Sequence, residues 1–246
     1  MLDSLVAQTV SIAGHNRDEL EAYLATPSDV SSVGAVVVIH HMPGYDRPTK
    51  EIVRRFASEG YIAICPNLYS REAPGADPDD AAATVRALGG VPDERLVGDV
   101  KGAIDYVTGL GISNQKVATI GYCSGGRQSF LAACSLKLDA AVDCYGAFVV
   151  GTPPEGMPLK IGPVVHMTPN LSCPLLGLFG REDQYPTPEQ VSELEQALKE
   201  NDKVYEFHMY DGAGHAFFAT DRPSFRPEAA KDGWAKIFDF FARNLA

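Results

Sequence analysis

Ile120-Gly121-Tyr122-Cys123-Ser124-Gly125-Gly126 continues an apolar run that begins at Lys116, and it leads into Ser124 to Leu136, a stretch with helical spacing. The reading is a buried strand that turns sharply into a helix with a sulfur at the apex. Such an elbow needs small neighbours, because the middle residue is held in a strained turn with its side chain projecting above the sheet. Gly121 and Gly125 supply them. Backbone N–H groups at the start of the following helix, and the positive end of its dipole, favour thiolate over thiol at Cys123. A free cysteine is most often a small buried hydrophobe, so the elbow alone decides nothing. Two residues further along shift the weight. Asp183 follows the apolar run Leu175 to Phe179, and His215 closes Asp211-Gly212-Ala213-Gly214-His215 after another strand-like stretch. Nucleophile, acid and base thus each fall at the carboxyl end of an expected strand, where open α/β sheets place their ligand crevice.

The rest of the chain fits such a sheet. Val6 to Ile12 and Leu20 to Leu24 alternate apolar and polar around Gly14 to Arg17, which predicts an amino-terminal antiparallel hairpin. Ala35 to Ile39 is apolar throughout, as a strand buried on both faces requires, and Pro48 opens a helix that ends at Gly60 before the strand Tyr61 to Cys65. Helices are expected around Ala81 to Leu88, over Leu96 to Val107, behind Cys123, around Val191 to Leu198, and over Trp234 to Leu245. Strands are expected at Ala140 to Tyr145 and Val204 to Tyr210. Pro66 to Asp80 reads as a surface loop on the rim of the crevice, and Gly146 to Asn170 as either a lid or an irregular connection. The alternation predicts a doubly wound, mostly parallel sheet with helices on both faces, forming one domain over residues 1–246.

Composition narrows the function classes. The 32 acidic residues against 21 basic ones give a net charge of −11, which argues against nucleic acid and anionic membranes as partners. The amino terminus, with Asp3, shows no leader pattern, and no apolar run is long enough to span a bilayer, so a cytoplasmic protein is expected. Five cysteines, an odd number with no C-x-x-C pair, fit reduced thiols; all but Cys123 read as packing residues. His40 and His41 are adjacent and point to opposite faces on leaving a strand, and no ligand cluster accompanies them, so neither a metal nor a cofactor is expected.

Gly121 to Gly126 together with Pro66-Asn67-Leu68-Tyr69-Ser70-Arg71-Glu72-Ala73-Pro74-Gly75, Asp183 and Gly214-His215 resembles the dienelactone hydrolase family from about Ala35 onward. The resemblance implies an α/β-hydrolase fold, a Cys-His-Asp triad and opening of an enol-lactone ring. Carried over by motif, Cys123 is the nucleophile, His215 the general base and acid, and Asp183 the carboxylate that orients it. Two positions depart from the family. His41 stands where the family carries a glutamate near the resting cysteine, and Ala219 where it carries an arginine that grips the substrate carboxylate. Arg86 matches the second arginine of that pair.

The chemistry these residues imply is attack of the Cys123 thiolate on an ester or lactone carbonyl, giving an acyl-enzyme that water cleaves. The backbone N–H groups of Ser124 and Met42 are the expected oxyanion donors. His41 is expected to modulate the thiolate, and Arg86, Tyr122 and Phe217 to contact substrate. The partner is then a small ester or lactone, and the protein a monomer or homodimer. Acyl transfer remains open, as does a non-catalytic ligand-binding or thiol-sensing protein on the same scaffold. An oriented histidine and acid favour the enzyme, because a sensor needs neither.

Overall fold

A computed structural model describes residues 4–28, 33–111 and 114–246; Asp3 lies outside these. The strands are β1 (Leu5–Ala13), β2 (Glu19–Pro27), β3 (Ala35–Ile39), β4 (Ile62–Pro66), β5 (Val117–Tyr122), β6 (Ala140–Cys144), β7 (Leu175–Gly180) and β8 (Tyr205–Tyr210). They form one eight-stranded sheet in the order β1-β2-β4-β3-β5-β6-β7-β8. The first two strands make the expected hairpin, β2 runs antiparallel to β4, and every pairing from β4 to β8 is parallel.

The helices are α1 (Arg47–Ser58), α2 (Pro78–Leu88), α3 (Asp93–Gly109), α4 (Ser124–Ser135), α5 (Pro188–Glu200) and α6 (Pro227–Leu245). Strand alternation sorts them onto two faces. Ala35, Val37 and Ile39 of β3 join a core that includes Val85, Val100, Phe130 and Leu194 from α2, α3, α4 and α5. Val36 and Val38 join the opposite core, with Phe56 of α1 and Trp234, Ile237 and Phe241 of α6. Burial of both faces is what the uninterrupted apolar strands require.

Chain order reverses at β3, which lies between β4 and β5. Ile39 sits beside Gly121 in register, so the loop leaving β3 and the elbow leaving β5 emerge side by side at the switch point, where doubly wound sheets bind ligands.

Two loops differ from the sequence expectation. Residues 67–77 are more than a rim: Leu68 and Tyr69 are buried, and Arg71 makes a forked pair to the buried Asp99 with both N–O distances at 2.8 Å. The stretch from Gly146 holds a short 3-10 helix, Val165–Asn170, and is otherwise irregular. It is pinned rather than free. Lys160 N–H donates to Gly89 O at 2.8 Å, the buried Arg127 donates to Gly162 O at 2.8 Å, and Val164 N–H donates to Val149 O at 2.9 Å. Arg127 is held in turn by a bidentate pair to Asp93, at 2.8 Å for each contact. Among the described residues no helix is long and apolar enough to cross a membrane.

Candidate active site

Cys123 has φ 57° and ψ −122°, a conformation that costs a non-glycine residue about 1–3 kcal/mol and persists only where the surroundings impose it. Those surroundings are backbone. Cys123 N–H donates to Cys144 O at 3.0 Å, and its carbonyl accepts from Gly126 N–H at 3.0 Å and Ala147 N–H at 3.3 Å. The flanking glycines are required by contact: a Cβ on Gly121 would lie 1.8 Å from Gly125 O, and one on Gly125 would lie 2.2 Å from Ile39 O. Strand, helix and the neighbouring loop meet there without room for a methyl group.

His215 and Asp183 are brought together from two loops. Asp183 follows β7, is buried, and accepts from His215 Nδ1 at 2.9 and 3.2 Å and from Tyr185 N–H at 2.9 Å. That bond fixes the proton on Nδ1 and leaves Nε2 for the cysteine. Burial alone lowers the pKa of His215, but its hydrogen bonds to Asp183 and Cys123 and the charges of both outweigh this and push it up to about 10. At Cys123 burial works against the thiolate. The bond to His215, the imidazolium charge and the Ser124 N–H overcome it, although Asp183 opposes, and the thiol is lowered from its ordinary value. Both shifts favour the thiolate–imidazolium form of the pair over the neutral one.

The other four cysteines are buried. Burial pushes Cys134 and Cys173 up to about 12 and raises Cys65 and Cys144 as well.

His40 and His41 take different partners. His40 is buried with its ring edge-on to Tyr69 at 4.7 Å; Nδ1 donates to His41 O at 2.9 Å, and Nε2 accepts from Leu68 N–H at 3.1 Å. Burial lowers its pKa to about 4, only partly offset by the bond to His41 O, so it is neutral and acts as a brace between the loop after β3 and the loop after β4. Sequence reasoning missed that role. Its only signal was a histidine one residue past an apolar strand. His41 places Nε2 3.2 Å from Asp46, the N-cap of α1, which also accepts from Thr49 N–H at 2.9 Å.

Cys123, Met42 and His215 lie where two cavities meet, one of about 520 Å³ and one of about 330 Å³. Ser124 and Arg86 open on the larger, where Arg86 Nε donates to Met42 Sδ at 3.3 Å. Tyr122, His41 and Ala219 line the smaller. Phe217 lines neither. It is fully buried, stacked on Phe218 with ring centroids 4.7 Å apart, and Phe218 is the aromatic that reaches the smaller cavity. The reason is the turn after His215, where Ala216 at φ 61° swings the next side chain into the core. Among the described residues no cluster of histidine, cysteine and carboxylates has the geometry of a metal site.

The profile of the dienelactone hydrolase family matches residues 20–245. The chain belongs to the dienelactone hydrolase family. It is 33% identical to a candidate carboxymethylenebutenolidase of Salmonella typhimurium over 98% of this chain and 89% of that one, and 34% identical to one of Escherichia coli K12 over 97% and 88%. The crystal structure of a candidate dienelactone hydrolase from Klebsiella pneumoniae superposes with a TM-score of 0.84 at 30% identity, covering 97% of this chain and 99% of that one. A dienelactone hydrolase-like phosphotriesterase from metagenomic libraries shares the fold at 16% identity, with a TM-score of 0.78. The chain is a hydrolase of the dienelactone hydrolase type on an α/β-hydrolase sheet.

Proposed function

We propose that the protein hydrolyses small esters or lactones through an acyl-enzyme on Cys123. The observation that carries this reading is the continuous line from buried Asp183 through His215 to a thiol lowered by that histidine. In the proposed sequence the Cys123 thiolate attacks the carbonyl carbon and a C–S bond forms, while the oxyanion takes the N–H groups of Ser124 and Met42. The C–O bond to the leaving group then breaks, and imidazolium His215 gives its proton to the departing oxygen. Water attacks the thioester with His215 as base, which frees the carboxylic acid and restores the pair.

Brief iodoacetamide treatment with peptide mapping tests the reading, alongside Cys123→Ala. Labelling confined to Cys123, with stoichiometric loss of aryl-ester turnover, is the expected result. Labelling of Cys65, Cys134, Cys144 or Cys173 with activity kept would overturn it, as would turnover by the alanine variant.

A further inference from the structure

Among the described residues three line both cavities, Met42, Cys123 and His215, and on the proposed reading they are a loop residue whose N–H donates to the oxyanion, the nucleophile and its histidine. A reacting carbonyl must therefore sit at the neck between two chambers. Each chamber is large enough to hold a ligand group of its own.

The larger chamber lies on the Ser124 side and is walled by the pinned stretch after β6, through Phe148, Met157, Leu159 and Ile161. Its buried cation, Arg127, is neutralised by Asp93, and the exposed Arg86 lies against Met42 Sδ, beside walls that are mainly apolar. The smaller chamber is walled by the chain that follows His215, through Phe218, Ala219 and Thr220, and by the rings of Tyr122 and Trp234. Trp234 and Phe218 pack edge to face at 5.7 Å, and the Arg55 guanidinium lies 4.2 Å over Trp234. The aromatic side chains make an apolar wall that suits an aryl group, while Arg47, Glu51, Asp221 and Arg222 line the rest of the same chamber.

We infer that the substrate is two-armed: an open-chain ester whose medium-length apolar acyl chain fills the larger chamber and whose aryl alcohol leaves through the smaller one. The assignment of arms follows from the proton. His215 and Cys123 face both chambers, but Ala216 and Phe218, next to the histidine whose proton the leaving oxygen takes, line only the smaller one, and Ser124, next to the sulfur that keeps the acyl carbon, lines only the larger. A compact lactone ties both arms into one ring at the neck and leaves both chambers unused. Each methylene buried in the larger chamber is worth about 0.8 kcal/mol, or roughly fourfold in kcat/KM.

The inference rests on the proposed acyl-enzyme, and the test separates the two. Acylation is measured by stopped flow on 4-nitrophenyl acetate and octanoate, and on ethyl and 2-naphthyl octanoate. The wild type is expected to favour octanoate over acetate by at least tenfold. Leu159→Trp should cut that preference at least tenfold, with Met157→Trp as a second variant of the same wall if the first fails to fold. Ala219→Trp, or Thr220→Trp, should instead cut the naphthyl-to-ethyl ratio at least tenfold and act little on the acyl ratio. Cys123-dependent turnover with a flat acyl profile, or wall variants that move neither ratio, would overturn the two-armed substrate and leave the acyl-enzyme standing. Undiminished turnover by Cys123→Ala would remove both.

Discussion

Gly121→Ala adds one methyl group where strand, helix and nucleophile converge. Gly121 has an ordinary backbone conformation, so alanine meets no torsional penalty and the effect is purely one of space. The new Cβ would lie 1.8 Å from Gly125 O and 2.1 Å from Gly125 C, and opening that contact from 1.8 to 3.0 Å needs a movement of about 1.2 Å. β5 cannot supply it, because Gly121 is paired to Ile39 on one side and Asp143 on the other. Nor can the start of α4 move towards β3, since Gly125 already packs on Ile39 O. The displacement falls on the three residues between, and Cys123 is the middle one. Overpacking of this kind costs about 1–3 kcal/mol, and a misplacement of about 1 Å costs about 10²-fold in rate. At about 2–4 °C per kcal/mol for a chain this long, Tm should fall by about 2–12 °C. Gly109→Ala is the control: a Cβ there meets nothing within 4 Å, and alanine at the end of α3 should raise stability slightly. The assays are kcat on an aryl ester and thermal melting. A Gly121→Ala enzyme within threefold of wild type in kcat, with an unchanged Tm, would refute the packing argument.

Asp183→Asn keeps the shape of the buried acid but removes the charge that orients His215 and favours its protonated form; kcat/KM should fall by about 10²- to 10⁴-fold with little change in KM, as steady-state kinetics will show. The raised pKa of His215 gives the pH profile its sign: acylation should hold through neutral pH and decline as pH rises through about 10, when the proton needed by the leaving group is lost, and stopped-flow acylation from pH 6 to 11 checks it. Asp143 predicts a stability effect. Burial pushes its carboxyl up to about 7, offset only in part by the Gly146 N–H, so the folded state holds a proton that the unfolded chain releases near 3.8. Its contribution is whole below 3.8 and is lost as pH rises through about 7; urea melts of wild type and Asp143→Asn should therefore converge or cross in favour of the amide between pH 4 and 8, by on the order of 4 kcal/mol.

Much of this architecture is legible in the chain because local pattern and global role coincide. β3 and β7 carry no polar side chain and β5 carries only Thr119, all three are buried on every residue, and an element with no polar face can only be a central strand. The meeting of Cys123, Asp183 and His215 is legible for a related reason: Cys123 and Asp183 follow the buried strands β5 and β7 and His215 follows the half-buried edge strand β8, and a parallel sheet delivers those strand ends to one edge. What the pattern cannot carry is pairing between distant loops. His40 braces Leu68 across 28 residues, and Arg127 meets Asp93 across 34. Asp143 is illegible for a different reason. A carboxylate in the middle of a central strand contradicts the strand pattern, and only the fold shows the space made for it by Gly126 and Gly146, where a Cβ would lie 2.3 and 2.4 Å from its Oδ1. Phe217 and Phe218 are adjacent aromatics after the histidine, and a single left-handed residue decides which one reaches the cavity.

The exchange of the family's glutamate for His41 has an electrostatic consequence on the proposed reading. A carboxylate close to a thiol disfavours thiolate, as Asp183 does here. His41 brings no anion to that position. It occupies Asp46, whose own carboxyl already caps α1, and the two share one cavity wall with Cys123 only through the imidazole. On that reading the thiolate is held by His215 and by the Ser124 N–H. A resting pair of that kind needs no anionic substrate to switch it on. Ala219, where the resemblance implies a carboxylate-binding arginine, fits the same proposal: an enzyme that needs no substrate charge to raise its thiolate would take neutral esters, with Arg86 in the larger cavity and Arg222 in the smaller as the cations left to it.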